Sequence, residues 1–145
     1  MNCAKCGRST TKYRWRGAAI DFCDGCAHTF FESGEFTRLR RWGSAADPLL
    51  ALPVEKDFDL GRDPRGSNKL STCPRCNSEW EYGVIAQAPV HRCTGCSSLC
   101  LSAASFLGLT PVHEAFETME SARLSEAAAR VELRLLFAGE MRSVI

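Results

Sequence analysis

The chain has 145 residues, of which 45% are hydrophobic and 24% are charged, with a formal net charge of +1. This composition excludes a disordered chain and leaves room for one ordinary domain or two very small ones. No apolar run approaches the roughly 20 residues that a membrane-spanning helix needs, so we expect a protein without membrane contact.

Four Cys-x-x-Cys pairs are the strongest motif in the chain. Cys3 and Cys6 are followed, after sixteen residues, by Cys23 and Cys26, and the whole pattern returns seventy residues later. The first pair leaves no room for a signal peptide, so we expect a cytoplasmic protein. Because cytosolic thiols stay reduced, these cysteines are predicted to bind metal rather than to form disulfides.

Two Cys-x-x-Cys pairs brought together by a hairpin supply the tetrahedral four-sulfur shell that zinc prefers. Each repeat is only about 40 residues long, so a structural metal should decide whether it folds. A complete shell leaves no open coordination position, which favours a structural over a catalytic site. Iron is the less favoured metal, since four thiolates also hold it. We therefore predict two Zn²⁺ sites, each within one repeat: Cys3, Cys6, Cys23 and Cys26, and Cys73, Cys76, Cys93 and Cys96.

Other potential ligands lie near these pairs. Cys100 is interpreted as a small buried apolar residue rather than a fifth ligand. His28 and His91 flank cysteine pairs and could replace a ligand, but four sulfurs are already available in each repeat. We therefore assign no metal to these three residues.

Basic and aromatic residues alternate in the segment KYRWRG, which begins at Lys12. In an extended strand the basic residues would line one face, and Tyr13 and Trp15 the other. One interpretation is a nucleic-acid-binding strand, with a stacking aromatic and phosphate contacts. The other is an ordinary half-buried strand with a solvated basic face. The candidate phosphate-binding residues are Lys12, Arg14, Arg16, Arg38 and Arg41.

Ser33 is predicted to cap a short helix that contains Phe36, Leu39 and Trp42. A segment rich in proline, glycine and aspartate follows and is typical of a linker, so the flanking domains need not be rigidly fixed. The predicted organisation is a first metal-binding repeat with its short helix (1–42), a linker (43–70), a second repeat (71–110) and a C-terminal amphipathic helix (111–145).

The C-terminal helix is predicted from residues 112–138, which contain no glycine or proline, with Gly139 as its cap. One interpretation is a self-association or partner-docking helix, and the other is a helix that folds back onto the repeats. We predict a homodimer through its apolar stripe, formed by Leu124, Ala128, Val131, Leu135 and Ala138.

The first repeat combines the opening CAKCG, an Ile-Asp before the second cysteine pair, and CDGCAHTFFESGEFTRL from Cys23. Over residues 1–42 this resembles the bacterial zinc-ribbon domains of the transcription-factor-IIB-like type. The second repeat is a degenerate copy, with Ser102, Ala104 and Ser105 where the acid and Gly-Glu would stand. The resemblance implies a small metal-stabilised α+β fold, in which two ribbons of short antiparallel hairpins with zinc knuckles are joined by a linker and followed by the long helix.

Related zinc ribbons bind nucleic acid in some proteins and other proteins in many, so charge must help to decide. Each zinc with four thiolates carries a charge of −2, and two filled sites would lower the net charge from +1 to about −3. A globally basic nucleic-acid binder is thereby excluded. Residues 1–42, with eight basic and four acidic side chains, are the one candidate electrostatic footprint.

The favoured function is a non-enzymatic regulatory or adaptor protein that acts through protein–protein contacts, with the transcription machinery as a candidate partner. The alternative is direct, weak nucleic-acid binding through the first repeat. No nucleophile–base pair or open metal position indicates an enzyme.

Overall fold

The computed structural model of the protein describes residues 1–15, 17–41, 58–61, 70–109, 125–139 and 142–143. These residues form an α+β fold with an antiparallel sheet, and none of their helices is long and apolar enough to cross a membrane. The strands are β1 (Thr11–Trp15), β2 (Ala18–Phe22), β3 (Thr29–Phe31), β4 (Phe58–Leu60), β5 (Trp80–Ile85), β6 (Ala88–Cys93), β7 (Leu99–Leu101) and β8 (Arg142–Ser143). The helices are α1 (Glu35–Arg41), α2 (Ala103–Leu109) and α3 (Glu126–Gly139).

Each repeat is built on a tight hairpin followed by a third short strand. The β1–β2 hairpin turns at Gly17, whose φ of 81° lies in the left-handed region that glycine adopts without strain. The β5–β6 hairpin turns through Ala86 and Gln87, both also at positive φ, as a type I′ turn requires. These short turns fix the register of each hairpin and therefore the position of the cysteines at its open end.

The strands form one sheet in the order β4-β5-β6-β7-β3-β2-β1-β8. The repeats meet where β3 pairs with β7 and Phe30 lies opposite Cys100. These two residues are seventy positions apart and are therefore equivalent in the two repeats. On either side, Thr29 pairs with Leu101 and Phe31 pairs with Leu99. Since Thr29 is equivalent to Leu99 and Phe31 to Leu101, these two pairs are also related by the repeat. The repeats are thus related by a pseudo-two-fold axis, as in an isologous dimer.

The two edge strands are exchanged between the repeats. β4 follows the first repeat along the chain but pairs with β5 of the second, and β8 follows the second repeat but pairs with β1 of the first. Each repeat therefore completes the other's sheet. Of the predicted linker, residues 43–57 and 62–69 lie outside the described residues, while β4 contributes a strand. The repeats share one sheet, although the linker composition predicted modules that need not be rigidly fixed.

The hydrophobic core lies beneath the helices and is rich in stacked aromatic rings. Phe22 of β2 stacks on Phe137 of α3 with ring centroids 4.1 Å apart, and Phe31 of β3 contacts both Phe36 and Phe106. Helix α1 buries Phe36 and Leu39, as the predicted stripe requires, whereas Trp42 lies outside the described residues. Residues from both repeats therefore contribute to a single core cluster.

Helix α3 occupies the second half of the predicted C-terminal helix, and residues 110–124 lie outside the described residues. Ser125 Oγ accepts a hydrogen bond from Ala128 N–H, which caps the helix start. Gly139 is the last helical residue rather than the one beyond it. The sequence therefore located the end of this helix to within one residue.

The buried face of α3 is not the predicted stripe. Its core residues are Ala129, Leu133, Leu136 and Phe137, spaced as one helical face. In the predicted stripe, Val131 is 55% and Leu135 68% exposed, Ala128 is half-buried, and Leu124 lies outside the described residues. The helix thus folds back onto the repeats through one face and leaves the predicted stripe exposed.

Candidate metal centres

All four Cys-x-x-Cys turns have the same backbone hydrogen bonds. In the first turn, Cys3 N–H donates to the Arg8 carbonyl at 2.7 Å, and Gly7 N–H donates to the Cys3 carbonyl at 2.9 Å. Equivalent pairs of bonds close the turns that begin at Cys23, Cys73 and Cys93. Each turn is therefore closed by two backbone hydrogen bonds and presents two sulfurs on one side.

The residue after the second cysteine has a left-handed backbone in every turn, with φ of 80° at Gly7, 60° at Ala27, 63° at Asn77 and 61° at Ser97. Glycine and asparagine tolerate this conformation, whereas alanine and serine bear a cost of about 1–2 kcal/mol. Ala27 adopts this conformation although it is not glycine, and it is fully buried. The turn geometry thus holds even where the sequence offers no glycine.

The structure brings together the four sulfurs of each repeat. In site 1 the Sγ atoms of Cys3 and Cys26 lie 3.5 Å apart, and those of Cys6 and Cys23 lie 3.4 Å apart. In site 2 the corresponding distances are 3.7 Å for Cys73 and Cys96 and 3.3 Å for Cys76 and Cys93. Within each site all four sulfurs lie within 4.8 Å of one another.

These distances fit a metal shell and do not fit disulfides. A tetrahedral ion with metal–sulfur bonds of about 2.3 Å has sulfurs about 3.8 Å apart. A disulfide bond is much shorter, about 2.05 Å. Each group can therefore hold a single ion with little rearrangement, and the ligands of each group come from one repeat.

Each site contains one thiol that is predisposed to ionise. A hydrogen bond from Cys26 lowers the pKa of Cys3 to about 5, and hydrogen bonds from Ser78 lower the pKa of Cys76 to about 6. The Cys26 pKa is raised because its proton is held in that bond, and burial raises the pKa of Cys93 to about 12. A thiolate is the metal ligand, so binding of the ion releases the protons of the thiols that it coordinates.

The ninth cysteine lies outside both sites. Cys100 is 1% exposed and packs beside Cys3, Cys23 and Phe30, and burial raises its pKa well above the ordinary range. It is a small buried residue at the junction of the two repeats, as its position in the sequence suggested.

Neither flanking histidine lies in a sulfur group. His28 is buried and its Nδ1–H donates to the Cys26 carbonyl at 3.4 Å, while burial lowers its pKa. His91 faces Tyr82 across the β5–β6 pair, with ring centroids 5.5 Å apart. Both histidines support the turns and strands around the sites.

Ser105 of the second repeat stands where the first repeat has Glu35, and the structure explains this replacement. In the first repeat Glu35 Oε2 accepts a hydrogen bond from Ala19 N–H at 2.8 Å and so ties α1 to β2. The equivalent strand position is Pro89, which has no N–H to donate. There Ser105 Oγ donates to the Pro89 carbonyl instead, at 2.6 Å. The link between helix and strand is therefore kept with donor and acceptor reversed.

Ion pairs link the β1–β2 hairpin to Glu32 and to the second repeat. Lys12 Nζ lies 3.7 Å from a carboxylate oxygen of Asp21 and 3.5 Å from one of Glu32, and Arg75 of the second repeat also pairs with Glu32. Asp21 is 7% exposed, and burial raises its pKa. The ammonium of Lys12 thus has two carboxylate neighbours within the protein, while its side chain remains 43% exposed.

The other predicted phosphate-binding residues differ in their surroundings. Arg14 is exposed on β1, whereas Arg38 is exposed but pairs with Glu35 at 3.1 Å. Arg16 and the side chain of Arg41 lie outside the description. Tyr13, one of the aromatics considered for base stacking, packs against Phe137 with ring centroids 4.8 Å apart and so belongs to the core.

Sequence reasoning missed two arginines. Arg142 on β8 lies opposite Arg14 in the strand register, and Arg134 of α3 donates to two carbonyls of the second turn of site 1. Neither residue belongs to a motif, and Arg134 lies about 110 positions from its partners. No local signal in the sequence identifies them.

Comparisons with known proteins found no matching family model, curated protein or solved structure. The function must therefore be inferred from the two sulfur groups and the surfaces around them.

Proposed function

We propose that the protein binds two structural Zn²⁺ ions in tandem zinc ribbons of the transcription-factor-IIB-like type. The supporting observation is that two groups of four thiols have nearly the sulfur–sulfur spacing of a tetrahedral zinc shell. Each shell is complete, so the ion has no open position for a substrate and acts on the fold.

Metal analysis tests this proposal directly. Protein purified without added metal should contain two equivalents of zinc per chain and absorb no visible light, because Zn²⁺ has a filled d shell. A coloured protein with iron in place of zinc would overturn the choice of metal. Protein that folds fully without metal would overturn the structural role.

The proposed role is that of a non-enzymatic adaptor or regulator that acts through protein contacts. Support comes from the apolar stripe of α3, where Val131 and Leu135 remain more than half exposed beside a fully buried face. Helical surfaces with apolar residues one turn apart are a common means of docking to another chain. The transcription machinery remains a candidate partner through the family resemblance alone.

A second copy of the chain is the proposed occupant of this stripe. Among the described residues of the stripe, two large apolar side chains per copy are exposed, so the dimer should be weak, with dissociation in the micromolar range. Sedimentation velocity across that range should show a monomer–dimer equilibrium that the variant Leu135→Glu abolishes. A monomer at tens of micromolar would remove the dimer and leave a different protein as the partner.

Direct nucleic-acid binding is the second candidate function, favoured by the exposed Arg14 and the register that places Arg142 opposite it. Fluorescence anisotropy with single- and double-stranded DNA and RNA at low salt should then show saturable binding. Arg14→Glu should abolish that binding, whereas Arg38→Glu should weaken it less, because Arg38 already pairs with Glu35. No binding at low salt, where phosphate contacts are strongest, would reject this function.

A further inference from the structure

Helix α3 is attached to the two repeats at its opposite ends. At its first turn, the Glu126 carboxylate accepts hydrogen bonds from Ala103 N–H and Ala104 N–H, both at 3.1 Å, and so caps α2 of the second repeat. Two turns later, Arg134 reaches the first repeat. The helix therefore spans the junction between the repeats.

The contact of Arg134 is made with a metal-binding turn. Its Nε–H donates to the Asp24 carbonyl and its Nη2–H to the Gly25 carbonyl, each at 3.0 Å. Asp24 and Gly25 are the two residues between the ligands Cys23 and Cys26. Their carbonyls can be held by one planar guanidinium only while the turn keeps its present shape.

A second contact of α3 lies beside the same turn. Phe137 stacks on Phe22, the residue that precedes Cys23, and is 2% exposed. On the other side of the turn, Arg8 packs so closely on Gly25 that an added Cβ would lie 2.6 Å from Arg8 Cδ. The turn thus lies between Arg8 and the C-terminal helix, with Asp24 itself exposed.

Site 2 has no such attachment to α3 among the described residues. At its second turn, Thr94 bonds the Glu79 carbonyl through both N–H and Oγ1, each at 3.0 Å, and Gly95 lies against Ser78. Glu79 and Ser78 belong to the same repeat. The two sites therefore differ in whether α3 is hydrogen-bonded to a metal-binding turn.

We propose that α3 is a metal-responsive clamp that docks when site 1 is filled and is released when site 1 loses its ion. This inference rests on the proposed zinc function. Loss of the ion frees Cys23 and Cys26, the turn relaxes, and the paired carbonyls no longer match Arg134. Release of the helix exposes its buried face, which includes Leu133, Leu136 and Phe137. By thermodynamic linkage, docking of α3 must in turn tighten metal binding at site 1.

The test follows each site separately in the full-length protein. Zinc is withdrawn with a graded chelator, alkylation of cysteine peptides reports which site has emptied, and hydrogen exchange of residues 126–139 reports the helix. We expect α3 to lose protection together with alkylation of Cys23 and Cys26. A helix that stays protected after those cysteines are alkylated overturns the clamp.

Variants separate the clamp from general unfolding. Arg134→Met should speed zinc release from site 1 by about 10-fold, the usual lower range for residues that support a metal ligand, and leave site 2 unchanged. Arg134→Lys should restore only part of the effect, since it keeps the charge but not the fork. Val131→Met, on the exposed face of the same helix, is the control and should leave site 1 unchanged.

Equal effects of Arg134→Met on both sites, or on neither, would refute the clamp. This failure is distinct from failure of the proposed function. Wild-type protein without zinc in site 1 refutes both, whereas two zinc ions with an unlinked helix refute the clamp alone.

Discussion

The first repeat ties its helix to its sheet with a carboxylate, Glu35, that accepts from a backbone N–H, and the second does so with a hydroxyl, Ser105, that donates to a backbone carbonyl. The pair of Lys12 and Asp21 in the first hairpin is likewise replaced by Tyr82 and His91 in the second. In each case both partners differ together. A repeat that has lost the signature residues can therefore keep a helix–strand link and a cross-strand pair at the same positions.

The repeats differ more at their metal turns. The second turn of site 1 is bonded by Arg134 of α3, from the other end of the chain, whereas the second turn of site 2 is bonded by residues of its own repeat. Helix α3 does not follow the pseudo-two-fold symmetry of the sheet. It packs on the second repeat and hydrogen-bonds to a metal-binding turn of the first. The proposed clamp rests on this asymmetry rather than on the loss of the Gly-Glu signature.

Metal removal should have the largest effect on this pair of repeats. A structural zinc contributes on the order of 10–16 kcal/mol, which matches or exceeds the 5–15 kcal/mol of an ordinary domain. We expect the metal-free chain to lose its far-ultraviolet circular dichroism spectrum and to regain it when two equivalents of zinc are added. A cooperative thermal transition at an unchanged temperature without metal would contradict this.

The two faces of α3 should respond very differently to truncation. Phe137→Ala removes a fully buried ring from the stack on Phe22 and should lower the free energy of unfolding by about 3–5 kcal/mol. Leu135→Ala, on the exposed face, should change it by no more than about 0.5 kcal/mol. Chemical denaturation of the zinc-loaded protein measures both, and a loss for Leu135→Ala as large as that for Phe137→Ala would contradict the assignment of the buried face.

Replacing the helix residue of each strand–helix link by its counterpart in the other repeat should cost different amounts of unfolding free energy. Ser105→Glu places a carboxylate, in a position that is 3% exposed, against the Pro89 carbonyl and should cost about 3–5 kcal/mol. Glu35→Ser leaves Ala19 N–H without its acceptor and should cost about 1–3 kcal/mol. Equal costs in denaturation experiments would mean that Pro89 does not dictate the choice of partner.

The smallest effects should come from the left-handed residues of the metal turns. Gly7→Ala meets no neighbour within 4 Å, so its cost is the backbone strain alone, about 1 kcal/mol. Ser97→Gly relieves the same strain in site 2 and should gain about 0.5 kcal/mol after the entropy of the unfolded chain is counted. Thermal unfolding temperatures should shift in opposite directions, and shifts of the same sign would contradict the common turn geometry.

Cysteine spacing predicted the two groups of sulfurs because a hairpin brings pairs of fixed separation together. The alternation in KYRWRG and the spacing of Phe36 and Leu39 likewise reflect local periods of two and of three to four residues. Such features depend on near neighbours in the chain. They were therefore accessible without the structure.

The remaining features depend on distant pairing. Strands β4 and β8 have three and two residues, too few to show a pattern, and their partners lie in the other repeat. On α3, two apolar stripes overlap, and the choice between Leu135 and Leu136 as the buried residue is made by the surface beneath the helix. Arg134 finds its carbonyls only after the whole sheet has assembled.

The most direct test of the account is the zinc content of the Cys93→Ser variant, measured by native mass spectrometry together with cysteine alkylation. Ligation within repeats predicts one retained zinc per chain, with Cys3, Cys6, Cys23 and Cys26 protected and the remaining site 2 thiols alkylated. Ligation across repeats would instead leave one cysteine pair of each repeat reactive. That result would contradict the assignment of one closed metal site to each repeat.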